Sequence, residues 1–511
     1  MKPFNAAAFF VDRHVAEGRG ARIAHRAPDS SVTWDDVADG ADRWGHVLAD
    51  LGVEIEQRVL LVLDDTPAFV AVFWGTIKIG AVAVPVNPLM TGDEYAFMLN
   101  DSRAKVVVVE ARVAPVILAV RDRCPHVRAI VVAGRAGAGA LALDDLLGRA
   151  KTTLAPAPTD EDDVMYWGYT SGSTGRPKAA VHSHAHFRAA ADLVGAAVFG
   201  LDAPDVVFSA SKMYFAFGLG NTLYFPAGVG ACSLLVPERI EPERALAIIT
   251  RERPTVFFTV PTLYARMLQV KDAGHRFDLS SLRLCVSSGE ALPPAVFDAW
   301  GERFGVALHD VIGSTEALHD FIATRPGRVK RGTVGEIVPG FEARIVDDDG
   351  TDVPAGVVGH LLIKGPTTSP YYWNRADRTR QTMLGAWLET GDMFAGDADG
   401  YFRFAGRSDD MLKVGGQWIS PTEVEARLVE HPLVLEAAVI ARSDANGLAE
   451  PHACVVLENG RVATPSLERE LHEWLRAGLA HYKVPRTLTF VAELPKTATG
   501  KIQRFRLRTD G

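Results

Sequence analysis

Between Tyr169 and Lys178 the chain reads Tyr-Thr-Ser-Gly-Ser-Thr-Gly-Arg-Pro-Lys, small hydroxylated residues punctuated by two glycines. Thr170, Ser171, Gly172, Ser173, Thr174 and Gly175 leave backbone N–H groups open to an anion, and Ser171, Ser173, Thr174 and Lys178 add side-chain donors. That composition suits a phosphate cradle. It differs from the loop of P-loop NTPases, because Lys178 follows Pro177 and Ala179, not a hydroxylated residue, follows the lysine. An ordinary Gly/Ser surface turn is the bland alternative, and ten ordered positions argue against it.

A cradle of this kind needs strands to hold it. Val59–Leu63, Val106–Val109 and Ala129–Val132 are short β-branched runs, and they alternate with amphipathic stretches at Trp34–Leu51 and Asp93–Leu99. The alternation predicts βαβ units and parallel sheets. Gly134 to Pro158, rich in Ala, Gly and Pro, reads as surface loops and a boundary. A second α/β pattern follows from Val164 to about Leu308, and then a glycine-rich, β-rich stretch from Gly332 to Phe404. From Ser408 onward a helix, strand, strand, helix, strand order predicts a small α+β domain. The expected division is a large domain over residues 1–408 and a small one over 409–511.

The chain has 511 residues, 48% of them apolar and 23% charged, which suits a large buried core and excludes disorder. About three domains or subdomains are expected at this length. A formal charge of −9 has the wrong sign for gripping nucleic-acid phosphates, so no nucleic acid is expected as a partner. Residues 409–511 carry 13 Lys and Arg against 14 Asp and Glu, so the acidity sits on the large part. Cys124, Cys232, Cys285 and Cys454 form no C-x-x-C pair, which argues against a disulfide scaffold or a structural zinc site. Asp12 and Arg13 interrupt the N-terminal apolar patch, and Lys78 and Asn87 interrupt the apolar stretch Pro67 to Pro88. Neither a signal peptide nor a membrane span is expected, and a soluble cytoplasmic protein is the reading.

The Tyr169–Lys178 segment resembles the phosphate-binding loop of the adenylate-forming superfamily, which includes acyl-CoA and aryl-CoA synthetases, adenylation domains and beetle luciferases. Five further segments fall in the order of that family. Ser288-Gly289-Glu290-Ala-Leu292 and Asp310-Val311-Ile312-Gly313-Ser-Thr315-Glu316 are similar to its adenine-binding segment and central motif. The resemblance makes Thr315 a phosphate-contacting hydroxyl and Glu316 the ligand of Mg²⁺, and hard oxygen ligation of that ion fits a carboxylate. It makes Asp392 of Trp387-Leu-Glu-Thr-Gly-Asp392 the acceptor for both ribose hydroxyls, with Tyr401 and Arg407 nearby. Asp409 corresponds to the hinge of the small domain. Gly415 and Gly416 would line the pantetheine channel of coenzyme A, and Lys501 would reach the carboxylate and α-phosphate during adenylation.

Within the superfamily, the segments Lys212–Pro226 and Thr315–Gly327 are similar to benzoate and 4-hydroxybenzoate CoA ligases. Phe215 stands where many relatives carry a histidine, as in the benzoate group. The resemblance implies a slot for a flat aromatic acid built from Phe215, Ala216, Phe217 and Gly218, with Gly289 leaving room and His319 in the pocket. Asp320 departs from the aliphatic residue of the benzoate pattern. A buried carboxylate there must meet a polar ring substituent or pair with Arg325 or His319.

The resulting reading is an α/β enzyme that uses ATP, Mg²⁺ and coenzyme A to convert an aryl acid to its CoA thioester through an aryl-adenylate, as a monomer or homodimer. The alternatives are an adenylation protein that loads a carrier protein in trans, a catalytically inactive nucleotide-binding module, and a luciferase-like oxygenase, which the fold alone would allow.

Overall fold

The computed structural model describes residues 3–170, 176–408, 411–414, 417–443, 449–458, 461–495 and 502–509. Strands such as Val106–Glu110 and Ala129–Ala133 have no polar face, so they require cover on both sides. Two large sheets meet that requirement. The first has seven strands in the order Leu141–Ala142, Ala129–Ala133, Val106–Glu110, Arg58–Val62, Val82–Pro85, Val164–Thr170 and Lys178–Ser183, parallel except for the last pair.

The second sheet has nine strands: Glu336–Ile337, Asp320–Ala323, Leu308–Gly313, Leu284–Ser287, Val256–Thr259, Val206–Ser209, Cys232–Leu234, Ile23–Ala27 and Ser30–Thr33. Its centre is parallel and its edges are antiparallel.

Strand alternation decides which side chains the sheets share. Val59, Leu61, Val106 and Val108 of the first sheet join Val207, Phe258 and Val286 of the second in one core. The intervening residues Leu60, Val62, Val107 and Val109 face the other way, onto Gly92–Ser102 and Ala114–Ala119. Phe208, Phe257 and Cys285 likewise face Pro242–Glu252, Pro261–Leu268 and Pro294–Phe304. Trp34, Trp44, Phe69, Phe73 and Trp74, from the helices Trp34–Asp50 and Pro67–Lys78, fill the shared core.

Those two helices start where the sequence chemistry favours it. Thr33 caps the first in a reciprocal capping box with Asp36, and Pro67 opens the second. Lys78, only 2% exposed, ties them to the N-terminal segment by pairing with Asp42 and with Asp12 at 2.8 Å.

Two sequence readings need correction. Gly134 to Pro158 carries a short strand and the helix Leu143–Arg149, and it marks no boundary, because Val164–Thr170 and Lys178–Ser183 return to the first sheet. The second α/β unit is also not contiguous: Ile23–Ala27 and Ser30–Thr33 form one of its edges. Pro67 to Pro88, read as too interrupted to span a bilayer, is a helix followed by a buried strand, in keeping with that reading. Local periodicity identifies strands, but long-range pairing assigns them to sheets.

After the second sheet, Glu342–Val346, Gly359–Lys364, Met383–Leu384, Trp387–Gly396 and Phe402–Arg407 form a five-stranded antiparallel sheet. Towards the C-terminus, the helices Pro421–Val429 and Pro465–Gly478 cover a sheet of Val434–Ser443, Ala449–Leu457 and Thr487–Phe490 around Val424, Leu428, Val439, Val455, Leu471 and Leu475. The four cysteines are free and buried. Among the described residues no helix is long and apolar enough to cross a membrane.

Gly75 allows the two core helices to touch. A Cβ there would stand 2.5 Å from the Ala41 carbonyl oxygen and 2.9 Å from the Trp44 Cβ. Gly75→Ala is expected to lower stability by about 1–3 kcal/mol, because overpacking outweighs the roughly 1 kcal/mol gain in helix propensity. A lower thermal midpoint checks it; an unchanged or higher one refutes the close-packing argument.

Candidate active site

The two strands flanking the glycine-serine loop belong to the first sheet. Val164–Thr170 leads in and Lys178–Ser183 leads out, antiparallel, with Thr170 opposite Lys178. Ser171, Gly172, Ser173, Thr174 and Gly175 lie outside the described residues, as do Asp409, Gly415, Gly416 and Lys501.

Lys178 emerges beside a turn from the second sheet. The strand Leu308–Gly313 ends in the short 3-10 turn Thr315–Ala317, capped by Ser314, whose side chain accepts a hydrogen bond from the Ala317 N–H. This brings Glu316 Oε1 to 3.6 Å from Lys178 Nζ. Tyr372 lies between them: Lys178 Nζ donates to its Oη at 2.6 Å, and that hydroxyl donates to Glu316 Oε1 at 2.5 Å. The ammonium also sits 3.9 Å from the Tyr372 ring centroid. Burial lowers the Lys178 pKa, opposed by Glu316. Burial and then the Glu316 charge push the Tyr372 hydroxyl well above its ordinary value, so it remains a donor.

Tyr372 was not anticipated from the sequence, where it falls within the glycine-rich, β-rich stretch from Gly332 to Phe404. In the structure this segment joins the two sheets. Thr367 Oγ1 donates to the Ala317 carbonyl at 2.6 Å, and the Ser369 N–H donates to the Glu316 carbonyl at 2.6 Å. On the other side, the Val181 N–H donates to Ser369 Oγ at 3.0 Å, Tyr372 bridges Ala180, and the Trp373 N–H donates to the Ala179 carbonyl at 2.9 Å. Trp373 packs against Trp167, ring centroids 4.6 Å apart and tilted by 32°, and donates from Nε1 to the Asp101 carbonyl. The run Tyr371-Tyr372-Trp373 was the available sequence signal.

Thr315 is held from behind. His182 Nε2 lies 2.8 Å from the Thr315 carbonyl oxygen, and His182 Nδ1 lies 3.0 Å from His186 Nδ1. Burial lowers His182 to about 3 and His186 to about 4, so both are neutral, with His182 Nε2–H donating to the carbonyl. Gly168 admits this turn, since a Cβ there would come within 2.5 Å of Thr315 Cγ2.

Other anticipated residues fall at the carboxyl ends of the second sheet, where α/β folds bind ligands. Ser288 and Gly289 follow the strand Leu284–Ser287, and Gly289 has φ +87°. A Cβ at Gly289 would meet Val260 only at 3.7 Å, so room remains beside it. Glu290 accepts from Thr262 Oγ1 at 2.6 Å. Asp310, Val311, Ile312 and Gly313 are in the adjacent strand. Asp310 Oδ1 is buried with no hydrogen-bond partner among the described residues, and burial raises this carboxyl well above its ordinary value.

Asp392 is 5% exposed and accepts from Arg407 Nη1 at 2.9 Å across the Trp387–Gly396 and Phe402–Arg407 ladder. Tyr401 is not beside it. Phe402 pairs with Gly396 and Tyr401 lies opposite Asp397, so Tyr401 is at the far end of the hairpin, roughly 17 Å along the strand from Asp392, with Lys330 Nζ 4.9 Å from its ring centroid. Hairpin register separates residues that the sequence pattern grouped.

The aromatic segment is only partly as anticipated. Phe215 is 41% exposed before the short helix Ala216–Leu219, while Ala216 and Phe217 are half-buried. Gly218 is buried and admits no side chain, because a Cβ there would collide with the Lys212 carbonyl. His319 is buried against Phe217 at 5.4 Å and Phe225 at 4.4 Å. Gly220 permits this, since a side chain there would strike the His319 ring. Asp320 Oδ2 lies 2.9 Å from His319 Nδ1, off the line of a hydrogen bond, while Arg325 donates instead to the Ile337 carbonyl.

A single carboxylate beside the ends of the glycine-serine loop fits Mg²⁺, which keeps several waters and binds mainly through substrate phosphates. Among the described residues no cluster of three His, Cys, Asp or Glu side chains could form an all-protein cage.

Comparison with known proteins agrees with this layout. The AMP-binding enzyme family matches residues 12–373, and the AMP-binding enzyme C-terminal domain matches residues 423–501. A 4-hydroxybenzoate–CoA/benzoate–CoA ligase of Rhodopseudomonas palustris is 43% identical over 99% of this chain and 94% of its own. A benzoate–CoA ligase of Thauera aromatica is also 43% identical, over 99% and 96%. The structure of an anthranilate CoA ligase in complex with anthranoyl-AMP superposes with a TM-score of 0.94 at 42% identity, covering 99% of this chain and 97% of that one. With the family match spanning most of its length and the site geometry in accord, the chain belongs to the AMP-binding enzymes.

Proposed function

We propose that the protein is an ATP-dependent aryl-CoA ligase. The observation that carries this reading is the Lys178, Tyr372 and Glu316 constellation at the exit of the phosphate loop, in a chain 43% identical along its length to aryl-CoA ligases. In the first half-reaction the aryl carboxylate attacks the α-phosphorus of ATP, the bond to the bridging oxygen breaks, and pyrophosphate leaves. In the second, the thiol of coenzyme A attacks the acyl carbon, the thiol proton is lost, and AMP departs.

Thr170 to Gly175 and Lys178 bind the phosphates, with Thr315 facing them and Glu316 holding the Mg²⁺ that enters with ATP. When bound, that ion neutralises phosphate charge. Asp392 takes the ribose hydroxyls. Ser288 to Glu290 and Asp310 to Gly313 flank the adenine, whose exocyclic amine offers a donor to the orphaned Asp310 Oδ1. Lys501 stabilises charge in the first transition state. The small domain, residues 409–511, then turns about Asp409 so that Gly415 and Gly416 line the thiol channel. A reducing cytoplasmic setting accords with four buried, unpaired cysteines.

The acyl slot takes an aromatic ring bearing a polar substituent. Asp320 and His319 are buried together among Phe217, Tyr224 and Phe225, and neither Asp320 Oδ2 nor His319 Nδ1 has a hydrogen bond among the described residues. A ring amino or hydroxyl group supplies what is missing, whereas an unsubstituted ring leaves a buried acceptor unpaired.

A carboxylate-dependent pyrophosphate-exchange panel over benzoate, its amino and hydroxy derivatives, cinnamates and fatty acids tests the assignment. Exchange with a medium-chain fatty acid alone would overturn it.

Two outcomes follow within that panel. Asp320→Ile is expected to raise kcat/KM for benzoate and lower it about tenfold or more for the preferred substituted acid; an unchanged preference would place Asp320 outside acid selection. Lys501→Ala is expected to slow adenylation by about 10²–10³ while thioester formation from presynthesised adenylate persists; equal losses in both half-reactions contradict the assigned role.

A further inference from the structure

Lys178 and Glu316 are opposite charges in a partly buried site, and their side chains are only 20% and 15% exposed. Oppositely charged groups so placed attract strongly and tend to close into direct contact. Here they stop at 3.6 Å, with the Tyr372 hydroxyl hydrogen-bonded to both. The hydroxyl acts as acceptor towards the ammonium and donor towards the carboxylate, using both capacities of a phenol.

Tyr372 is held where it can do this. Its N–H donates to Thr379 Oγ1 at 3.0 Å, and its backbone pairs with Ala180, two residues beyond Lys178. The same segment holds the Glu316 turn through Ser369 and the Ala317 carbonyl through Thr367. One strap therefore sets the backbone of both charged residues and inserts a hydroxyl between their side chains.

We infer that Tyr372 is a positioning residue for the metal–nucleotide complex: it orients the Glu316 carboxylate towards the cation and keeps Lys178 from capturing that carboxylate, leaving the ammonium available to phosphate. The inference rests on the reading of this site as one for ATP with Mg²⁺, and adds a residue acting through Glu316. Removing the hydroxyl leaves the ammonium and carboxylate free to close on each other, and MgATP must then separate them in order to bind.

Tyr372→Phe keeps the ring and its packing, so the test isolates the hydroxyl. Calorimetric titration of the full chain with ATP at a series of Mg²⁺ concentrations, without any aryl acid, is expected to show binding weakened about tenfold or more and half-saturation shifted to higher Mg²⁺. In pyrophosphate exchange, KM for MgATP should rise more than kcat falls. Thioester formation from presynthesised aryl-adenylate, which needs no triphosphate, should stay near wild type.

A double-mutant cycle with Glu316→Gln separates positioning from general damage: in that background, loss of the hydroxyl is expected to weaken ATP binding by less than about threefold. Wild-type affinity and Mg²⁺ dependence in Tyr372→Phe would overturn the inference, as would a full tenfold loss in the Glu316→Gln background. Failure of every aryl acid to support exchange by the wild type would instead refute the ligase reading, and the calorimetric arm does not depend on that result.

Discussion

A half-buried ammonium and a half-buried carboxylate must be kept close without neutralising each other, and the site's organisation depends on this. Lys178 and Glu316 come from different sheets, so their separation is set by how those sheets dock. Coulomb attraction rises steeply as water is excluded, and the same exclusion makes either charge costly alone. A tyrosine hydroxyl between them serves both charges while holding them apart. It is neutral, because burial and the neighbouring carboxylate oppose its ionisation.

Much of the remaining architecture sets that spacing. The strap 367–373 is hydrogen-bonded to the strand Lys178–Ser183 on one side and to the turn Thr315–Ala317 on the other. Neutral His182 reaches from the first sheet to the Thr315 carbonyl, and Gly168 gives the turn room. The shared core behind these contacts, filled by Trp34, Trp44, Phe73, Trp74 and Tyr224, resists deformation because close-packed interiors have little free volume. Strands beneath a rigid core can hold catalytic groups to a fraction of an ångström, which positional catalysis requires.

The proposed acyl slot is governed by a different balance. Aromatic walls favour a flat ring, while His319 and Asp320 add polarity that an apolar wall would lack. A carboxylate 2% exposed among rings is expensive unless something satisfies it, so in the proposed reading selection of the acid and stability of the pocket rest on the same group. This is a common arrangement at binding sites, where local rules of packing yield to function.

Sequence alone determined the elements and the chemistry carried by short motifs. Periodicity placed the strands Val106–Glu110 and Ala129–Ala133 and the helix Trp34–Asp50 to within a residue or two, because side-chain alternation is a local property. Loop composition pointed to phosphate, since small residues and glycines expose backbone donors wherever they occur. Tertiary structure decided the rest. It placed Ile23–Ala27 in the second sheet, separated Tyr401 from Asp392, packed the Lys212 carbonyl where a side chain at Gly218 would stand, and set Asp320 against His319 instead of Arg325. It also brought Tyr372, 194 residues from Lys178 and 56 from Glu316, into contact with both. No sequence period encodes such a meeting, because it depends on which sheet edges pair and how two sheets dock, and these are outcomes of global packing.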